Sequence, residues 1–167
     1  MGLFSSKKKE VYNNGWYYGE FNFNGKRHGY GEYHWDSGNW YRGEFRNGVR
    51  TGYGEYHYYN GDWYEGPFLD GKFEGEGKYH WASGELYIGH FSNDIMSGEA
   101  TYYYTDGAII IGRFRNDEPD YGTFYWSANK YCRGYFRDWH LHGECIYTKD
   151  GVSRNCLYDN GKFVRFL

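Results

Sequence analysis

In Tyr41-Arg42-Gly43-Glu44-Phe45 the apolar and small residues fall at alternate positions, so an extended strand presents Tyr41, Gly43 and Phe45 on one side and Arg42 and Glu44 on the other. The next stretch, Gly52-Tyr53-Gly54-Glu55-Tyr56-His57-Tyr58, alternates in the same way, with Gly52, Gly54, Tyr56 and Tyr58 on the first side. Residues 46–51 between them read as a turn, and Tyr59-Asn60-Gly61 leads into the next strand. Three loop residues ending in glycine suit a type I turn followed by a left-handed residue, where glycine is least strained. That connection sets Gly54 opposite Gly66 and Tyr56 opposite Tyr64. Paired glycines leave a groove in which aromatic rings can lie, which accounts for the recurrence of the two residue types together.

The pattern repeats at about 23 residues. Tyr17-Tyr18-Gly19-Glu20-Phe21 precedes the unit above; Tyr64-Glu65-Gly66-Pro67-Phe68 and Tyr87-Ile88-Gly89-His90-Phe91 follow it. Weaker copies stand at Ile110-Ile111-Gly112-Arg113-Phe114 and Cys132-Arg133-Gly134-Tyr135-Phe136. A fixed period of this length marks a one-dimensional repeat protein whose units are stabilised mainly by their neighbours. Function is then expected on a long surface rather than in a pocket.

The motif Tyr-x-Gly-x-Phe, a glycine turn, then Gly-x-Gly-x-Tyr resembles the MORN (membrane occupation and recognition nexus) repeat, over residues 16 to about 163 in about six units plus partial ends. The resemblance implies an all-β fold, an elongated single-layer twisted antiparallel sheet of stacked β-hairpins. It also implies a scaffold, membrane-associated adaptor or targeting module, with a partner segment held along an aromatic-lined groove. The chain departs from the pattern at several places. Asp94 and Asp117 replace the turn glycines of Gly48 and Gly71 type, and Pro67 sits inside a strand, where it removes a ladder donor. Cys132, Cys145 and Cys156 occupy Tyr41-, Gly54- and Gly66-type positions. If Asp150-Gly151 is a two-residue turn, Cys145 faces Cys156; free thiols filling former glycine sites are expected.

Composition narrows the function classes. A quarter of the chain is aromatic, with 22 tyrosines, 26 glycines and 2 prolines among 167 residues, which suits many short strands and tight turns. A net charge of −3 without a recurring basic stripe argues against a nucleic-acid partner. Apolar runs are too short to span a bilayer as helices, and no secretory h-region is visible. Three cysteines do not make a disulfide framework, so a reducing cytoplasmic setting is expected.

Residues 1–10 read as a flexible tail and 11–167 as the repeat domain. Met1-Gly2-Leu3-Phe4-Ser5-Ser6 fits an N-myristoylation motif at Gly2, and Lys7, Lys8 and Lys9 follow as a polybasic patch. One acyl chain binds a bilayer only marginally, so a basic patch on an anionic leaflet is a natural second signal.

Among candidate sites, His34, His57 and His80 share one register but are spaced too widely to hold a single metal ion, and they read as a polar outer row. Glu32, Glu55, Glu99 and Glu144 also repeat; cross-strand pairing with Arg42 or similar residues fits them better than acid–base chemistry. Trp16, Trp40 and Trp63 form an apolar strip on the face opposite the glycines, read either as a second candidate protein-docking strip or as a row that sheet twist buries at one margin. Tyr17, Tyr41, Phe45, Tyr56, Tyr64, Phe68, Tyr79 and Tyr87 are the expected partner groove. No catalytic residue, metal or cofactor is assigned. The expected protein is a non-enzymatic adaptor, peripheral to a membrane through its N-terminus, binding a helical or extended segment of a partner protein, with end-to-end self-association at open strand edges. The competing expectation is a structural component of a cytoskeletal, ciliary or capsid-like assembly with no lipid anchor.

Overall fold

The structure, a computed structural model, describes residues 7–167. These are organised in two compact units that divide between Ala82 and Ser83. The first contains β1 (Lys8–Tyr12), β2 (Gly15–Phe21), β3 (Arg27–Trp35), β4 (Trp40–Arg46), β5 (Val49–His57), β6 (Trp63–Leu69), β7 (Lys72–Phe73) and β8 (Gly75–His80). The second contains β9 (Leu86–Ser92), β10 (Ile95–Tyr103), β11 (Ile109–Arg115), β12 (Glu118–Ser127), β13 (Lys130–Arg137), β14 (His140–Lys149), β15 (Val152–Asp159) and β16 (Lys162–Phe166). Within each unit the strands form an open antiparallel meander in which each strand pairs with its neighbours in sequence, except that β7 and β8 both pair with β6. No helix occurs among the described residues. The all-β hairpin architecture expected from the alternation is therefore present.

Among the described residues there are sixteen strands, more than the two per unit that six units supply. Lys8, Lys9 and Glu10, assigned from sequence to the flexible tail, belong to β1 and pair with Gly19, Tyr18 and Tyr17. At the other end, β16 adds a terminal hairpin. Beside Pro67, the partner of β6 breaks into β7 and β8, and the Pro67 carbonyl takes a bond from the Glu74 amide instead, at 3.1 Å.

Two turn chemistries alternate. Asn47-Gly48, with φ of 52° and 92°, is a two-residue turn of the primed type, whose twist matches that of the strands it joins. The turn expected over residues 46–51 is thus shorter, and Arg46 and Val49–Thr51 are strand. Asp94 and Asp117 hold the same left-handed conformation at φ 71° and 68°, which aspartate tolerates better than most residues. The exit loops behave as expected: the Gly61 amide donates to the Tyr58 carbonyl at 3.1 Å, with Gly61 at φ 95°.

The predicted register holds, with Gly54 opposite Gly66 and Tyr56 opposite Tyr64. Where β4 meets β5 the ladder slips, because Gly43 pairs with Gly54 while Glu44 pairs with Thr51. Gly52 and Tyr53 are the two residues left over in the resulting bulge, with Gly52 at φ 58°; the Glu44 carboxylate lies against Gly52 and accepts from the Tyr53 amide at 3.3 Å.

The core consists of tyrosine rings laid flat over glycine pairs. Tyr41 covers Gly43 on its own strand and Gly54 on the next, so closely that a Cβ at Gly54 would meet the ring at 2.6 Å. Its hydroxyl donates to the Glu44 carbonyl at 3.0 Å; Tyr17, Tyr64 and Tyr87 donate in the same way to Glu20, Pro67 and His90 at 2.9–3.0 Å. Each lid also meets phenylalanine edges. Tyr41 contacts Phe45 and Phe68 with ring centres 5.1 and 4.9 Å apart, near-perpendicular as the ring quadrupoles favour. Burying a ring of this size contributes on the order of 2–3 kcal/mol. A single-layer sheet thereby acquires a core without a second layer.

Candidate functional site

The eight residues expected to line a partner groove separate into two groups. Tyr17, Tyr41, Phe45, Tyr64, Phe68 and Tyr87 are buried, none more than 3% exposed, and have no surface to offer a partner. They are the lids and edges of the core, because each ring folds onto its own glycines instead of standing up from the sheet. Tyr56 and Tyr79 are half-buried and stay available.

Those two belong to an aromatic ladder that sequence reasoning did not assemble. On the glycine face of the first unit, Trp35 lies 5.5 Å from Tyr56, Tyr56 4.7 Å from Tyr58, Tyr58 6.1 Å from Tyr79, and Tyr79 4.7 Å from Trp81, between ring centres. All five are half-buried. Tyr33 and Tyr12 extend the row at one end. Polar groups fix the rings from behind: Asn39 donates to the Tyr56 hydroxyl at 3.2 Å, and the Tyr79 hydroxyl donates to Asp62 at 3.1 Å. Burial pushes the Tyr79 phenol above its ordinary range, with Tyr58 and Asp62 adding to the effect, so it stays a neutral donor. The Arg50 guanidinium sits 4.8 Å from the Tyr56 ring centre and 5.9 Å from that of Trp35, while its Nη2 donates to the Gly71 carbonyl at 2.6 Å. Arg27 repeats this over Tyr33, at 4.8 Å, and donates to the Gly48 carbonyl. The signal was present in the sequence as aromatics two residues apart at the end of each second strand, just before the exit loop.

The second unit carries a row of the same kind. Tyr102 and Tyr104 lie 4.8 Å apart, Tyr104 and Phe124 5.8 Å, and Phe124 and Trp126 5.0 Å. Trp126 then approaches Tyr147 at 6.2 Å, and Tyr147 borders an open depression of about 370 Å³ with Lys149, Val152, Arg154 and Phe166.

On the reverse face of the first unit, the tryptophan strip and the histidine row are one structure. Trp16 stacks on His34 at 4.0 Å, Trp40 on His57 at 3.8 Å and Trp63 on His80 at 3.7 Å, with planes within 10° of parallel. His34–Trp40 and His57–Trp63 continue the series at 6.0 and 5.4 Å. The expectation of a solvated histidine row is corrected: the register puts each imidazole directly across from an indole, and all six rings are half-buried. Burial lowers the His57 and His80 pKa values below the ordinary imidazole range, and neither Nε2 has a hydrogen-bond partner among the described residues. In the glutamate row, Glu32 pairs across strands with Arg42 at 3.8 Å, as expected, whereas Glu55 lies 3.7 Å from His57 of its own strand; Glu65, outside the row, pairs with Lys78 at 2.6 Å.

Gly2 lies outside the described residues. The basic patch is divided by strand alternation: Lys8 sits over the Phe21 ring at 4.4 Å, whereas Lys9 sits over Trp16 at 4.2 Å on the other face. Lys7 borders a reverse-face depression of about 220 Å³ with Tyr18, Tyr30, Glu32 and Arg42. The cysteines converge in the second unit. Cys145 pairs with Cys156 as the turn at Asp150-Gly151 requires, both remain free thiols, and Cys132 joins them from β13.

An open meander of near-identical hairpins, with rings shared between adjoining hairpins, defines the class: a hairpin-repeat scaffold. The profile described as MORN repeat matches four consecutive copies at residues 17–40, 41–63, 64–85 and 87–109, and the chain belongs to the MORN repeat family. No curated protein matches the sequence. Among solved structures, the TCP domain of SAS-4 (dCPAP) of Drosophila melanogaster, solved with a proline-rich motif of Ana2 (dSTIL), is similar at 14% identity and a TM-score of 0.48, covering 96% of this chain and 88% of that one. The G-box domain of the microcephaly protein CPAP is similar at 15% identity and a TM-score of 0.25, over 90% of this chain and 97% of that one.

Proposed function

We propose that this protein is a non-enzymatic adaptor that holds an extended segment of a partner protein along the half-buried rings of its glycine face, Trp35, Tyr56, Tyr58, Tyr79 and Trp81. The observation that carries this is the unbroken run of ring neighbours along that face, repeated once per hairpin. Successive hairpins repeat at about 9.5 Å, two strand spacings. A polyproline II segment advances about 9.3 Å in each three-residue turn. One turn of such a segment therefore meets one hairpin, and flat rings with a nearby phenol donor are the usual surface for proline-rich chains. An α-helix, at 5.4 Å per turn, falls out of step.

The second element is attachment of the N-terminus to the cytoplasmic leaflet of a membrane through acylated Gly2. Lys7 and Lys9 would supply the basic contact from the reverse face, leaving the glycine face to the partner.

Titrating the full chain with a twelve-residue proline-rich peptide, read by calorimetry, tests the groove. Trp35→Ala with Tyr58→Ser should weaken binding at least tenfold while leaving the melting temperature nearly unchanged. Equal binding by the double variant, or a preference for a helical peptide, removes the proposal. Intact mass spectrometry of native protein tests the anchor: loss of Met1 with gain of a fourteen-carbon acyl group supports it. An unmodified N-terminus, with the protein extracted in a large complex and Gly2→Ala without effect on location, selects instead a permanent component of a cytoskeletal, ciliary or capsid-like assembly.

A further inference from the structure

All three cysteines of the chain meet at one place in the second unit. Cys132 on β13, Cys145 on β14 and Cys156 on β15 come from three adjacent strands. Cys145 is paired directly with Cys156, while Cys132 reaches it diagonally, since Gly134 stands opposite Cys145. The Sγ atoms of Cys132 and Cys145 are 3.0 Å apart and those of Cys145 and Cys156 3.3 Å, and all three lie within 4.8 Å of one another. The cysteines are buried, at 0%, 7% and 0% exposure, against Leu141 and Tyr158, with Phe124, Trp126, Phe136 and Tyr147 packed around them.

Filling space does not call for sulfur at these positions, because the same unit contains an apolar solution to the same problem. Ala100 takes the covered-glycine place beside the Tyr87 lid, opposite Gly89 and Gly112, and one repeat on Ile110 takes the lid place itself, next to the Gly112–Gly122 pair. Both are well buried, and the strands pair normally there. One repeat later the lid position, the covered-glycine position and its cross-strand neighbour are all cysteine.

We propose that Cys132, Cys145 and Cys156 form a three-thiolate site for a thiophilic d10 metal ion, Zn²⁺ or Cu⁺. Thiolates bind zinc at about 2.3 Å, which sets three sulfurs around one ion roughly 3.8–4.0 Å apart. The two closest pairs reach that spacing by opening up to about 1 Å, a change that side-chain rotation can supply. An all-sulfur donor set in apolar surroundings selects soft ions and rejects Mg²⁺ and Ca²⁺. Burial raises the Cys145 thiol to about 11 and the Cys132 thiol higher still. Binding is therefore an exchange in which each coordinating thiol releases one proton: with all three engaged, Zn²⁺ displaces three protons and leaves a complex of net charge −1. The ion would tie β13, β14 and β15 together where the repeat sequence has decayed most.

The test uses the full chain, reduced and anaerobic, titrated separately with Zn²⁺, Cu⁺ and Mg²⁺, with a chromophoric chelator as competitor. One Zn²⁺ or one Cu⁺ per chain, proton release on binding, a higher melting temperature and indifference to Mg²⁺ are expected; the tighter of the two ions identifies the occupant. Cys145→Ala, which copies Ala100, should fold and lose affinity at least a hundredfold. Cys156→Ala provides a second variant should the first fail to fold. Binding that survives both changes, stoichiometry far below one, or native protein carrying a Cys145–Cys156 disulfide overturns the proposal.

Discussion

The Trp40 indole and the His57 imidazole stack with ring centres 3.8 Å apart, their planes within 9° of parallel. They are direct cross-strand partners, so the two rows noticed separately in the sequence are the two halves of one stack. Burial is the largest influence on His57 and lowers its pKa below 6.5; Glu55 works against this and Arg42 with it. His80, between Glu65 and Lys78, is lowered for the same reason.

The pH consequence follows from that direction. A histidine whose folded pKa lies below its unfolded value leaves the unfolded chain holding more protons. The stability it contributes is fully present above about pH 6.5 and is lost as pH falls toward the folded pKa. Thermal melts should drop between about pH 7 and pH 5, and His57→Phe with His80→Phe, which keeps flat rings in the stack, should flatten that dependence. A melting temperature that rises on acidification would mean that the indoles stabilise the imidazolium instead.

Tyr41 separates two contributions to the core. Tyr41→Phe removes the hydroxyl bond to the Glu44 carbonyl and should cost about 1 kcal/mol. Tyr41→Ala removes the lid from Gly43 and Gly54 and should cost about 3–5 kcal/mol, as large cavities in aromatic cores do. Urea unfolding of both variants measures the difference.

Glycine serves two purposes that mutation can tell apart. A Cβ at Gly54 would meet the Tyr41 ring at 2.6 Å, so Gly54→Ala fails by crowding and should cost about 1–3 kcal/mol. Gly48 has open space around it but lies at φ 92°, so Gly48→Ala fails by backbone strain of about 1 kcal/mol. Gly48→Asp should be tolerated better than Gly48→Ala, because Asp94 and Asp117 already fill that turn position. Thermal melts of the three variants would rank them.

Arg50 is held by rings and a carbonyl: Trp35, Tyr41, Tyr56 and Phe68 surround the guanidinium, and the Gly71 carbonyl accepts from it. Arg50→Lys loses the planar stacking group and should destabilise by about 1 kcal/mol. Because the contact is sheltered by rings, raising the salt concentration should change that loss little.

Much of the fold was legible because strand alternation is a local property. The spacing of Gly54, Gly66, Tyr56 and Tyr64 was enough to set their register, and Asp150-Gly151 was enough to bring Cys145 to Cys156. The face carrying the candidate groove was also legible. Which rings on that face remain accessible was not, since Tyr41 and Tyr56 look alike in the sequence. They differ because the ring of Tyr41 lies over Gly43 and Gly54 while Tyr56 stands beside Trp35 and Tyr58.

The sequence by itself determined the hairpin repeat, its register and its family, because period, turn residues and side-chain alternation are all written within one unit. Tertiary structure decided what each face offers: it buried Tyr17, Tyr41, Tyr64 and Tyr87 as lids, joined indoles to imidazoles, and gathered Cys132 with Cys145 and Cys156. Those outcomes depend on where a ring turns and on which side chains meet diagonally across strands, and both are set by packing between units about 23 residues apart.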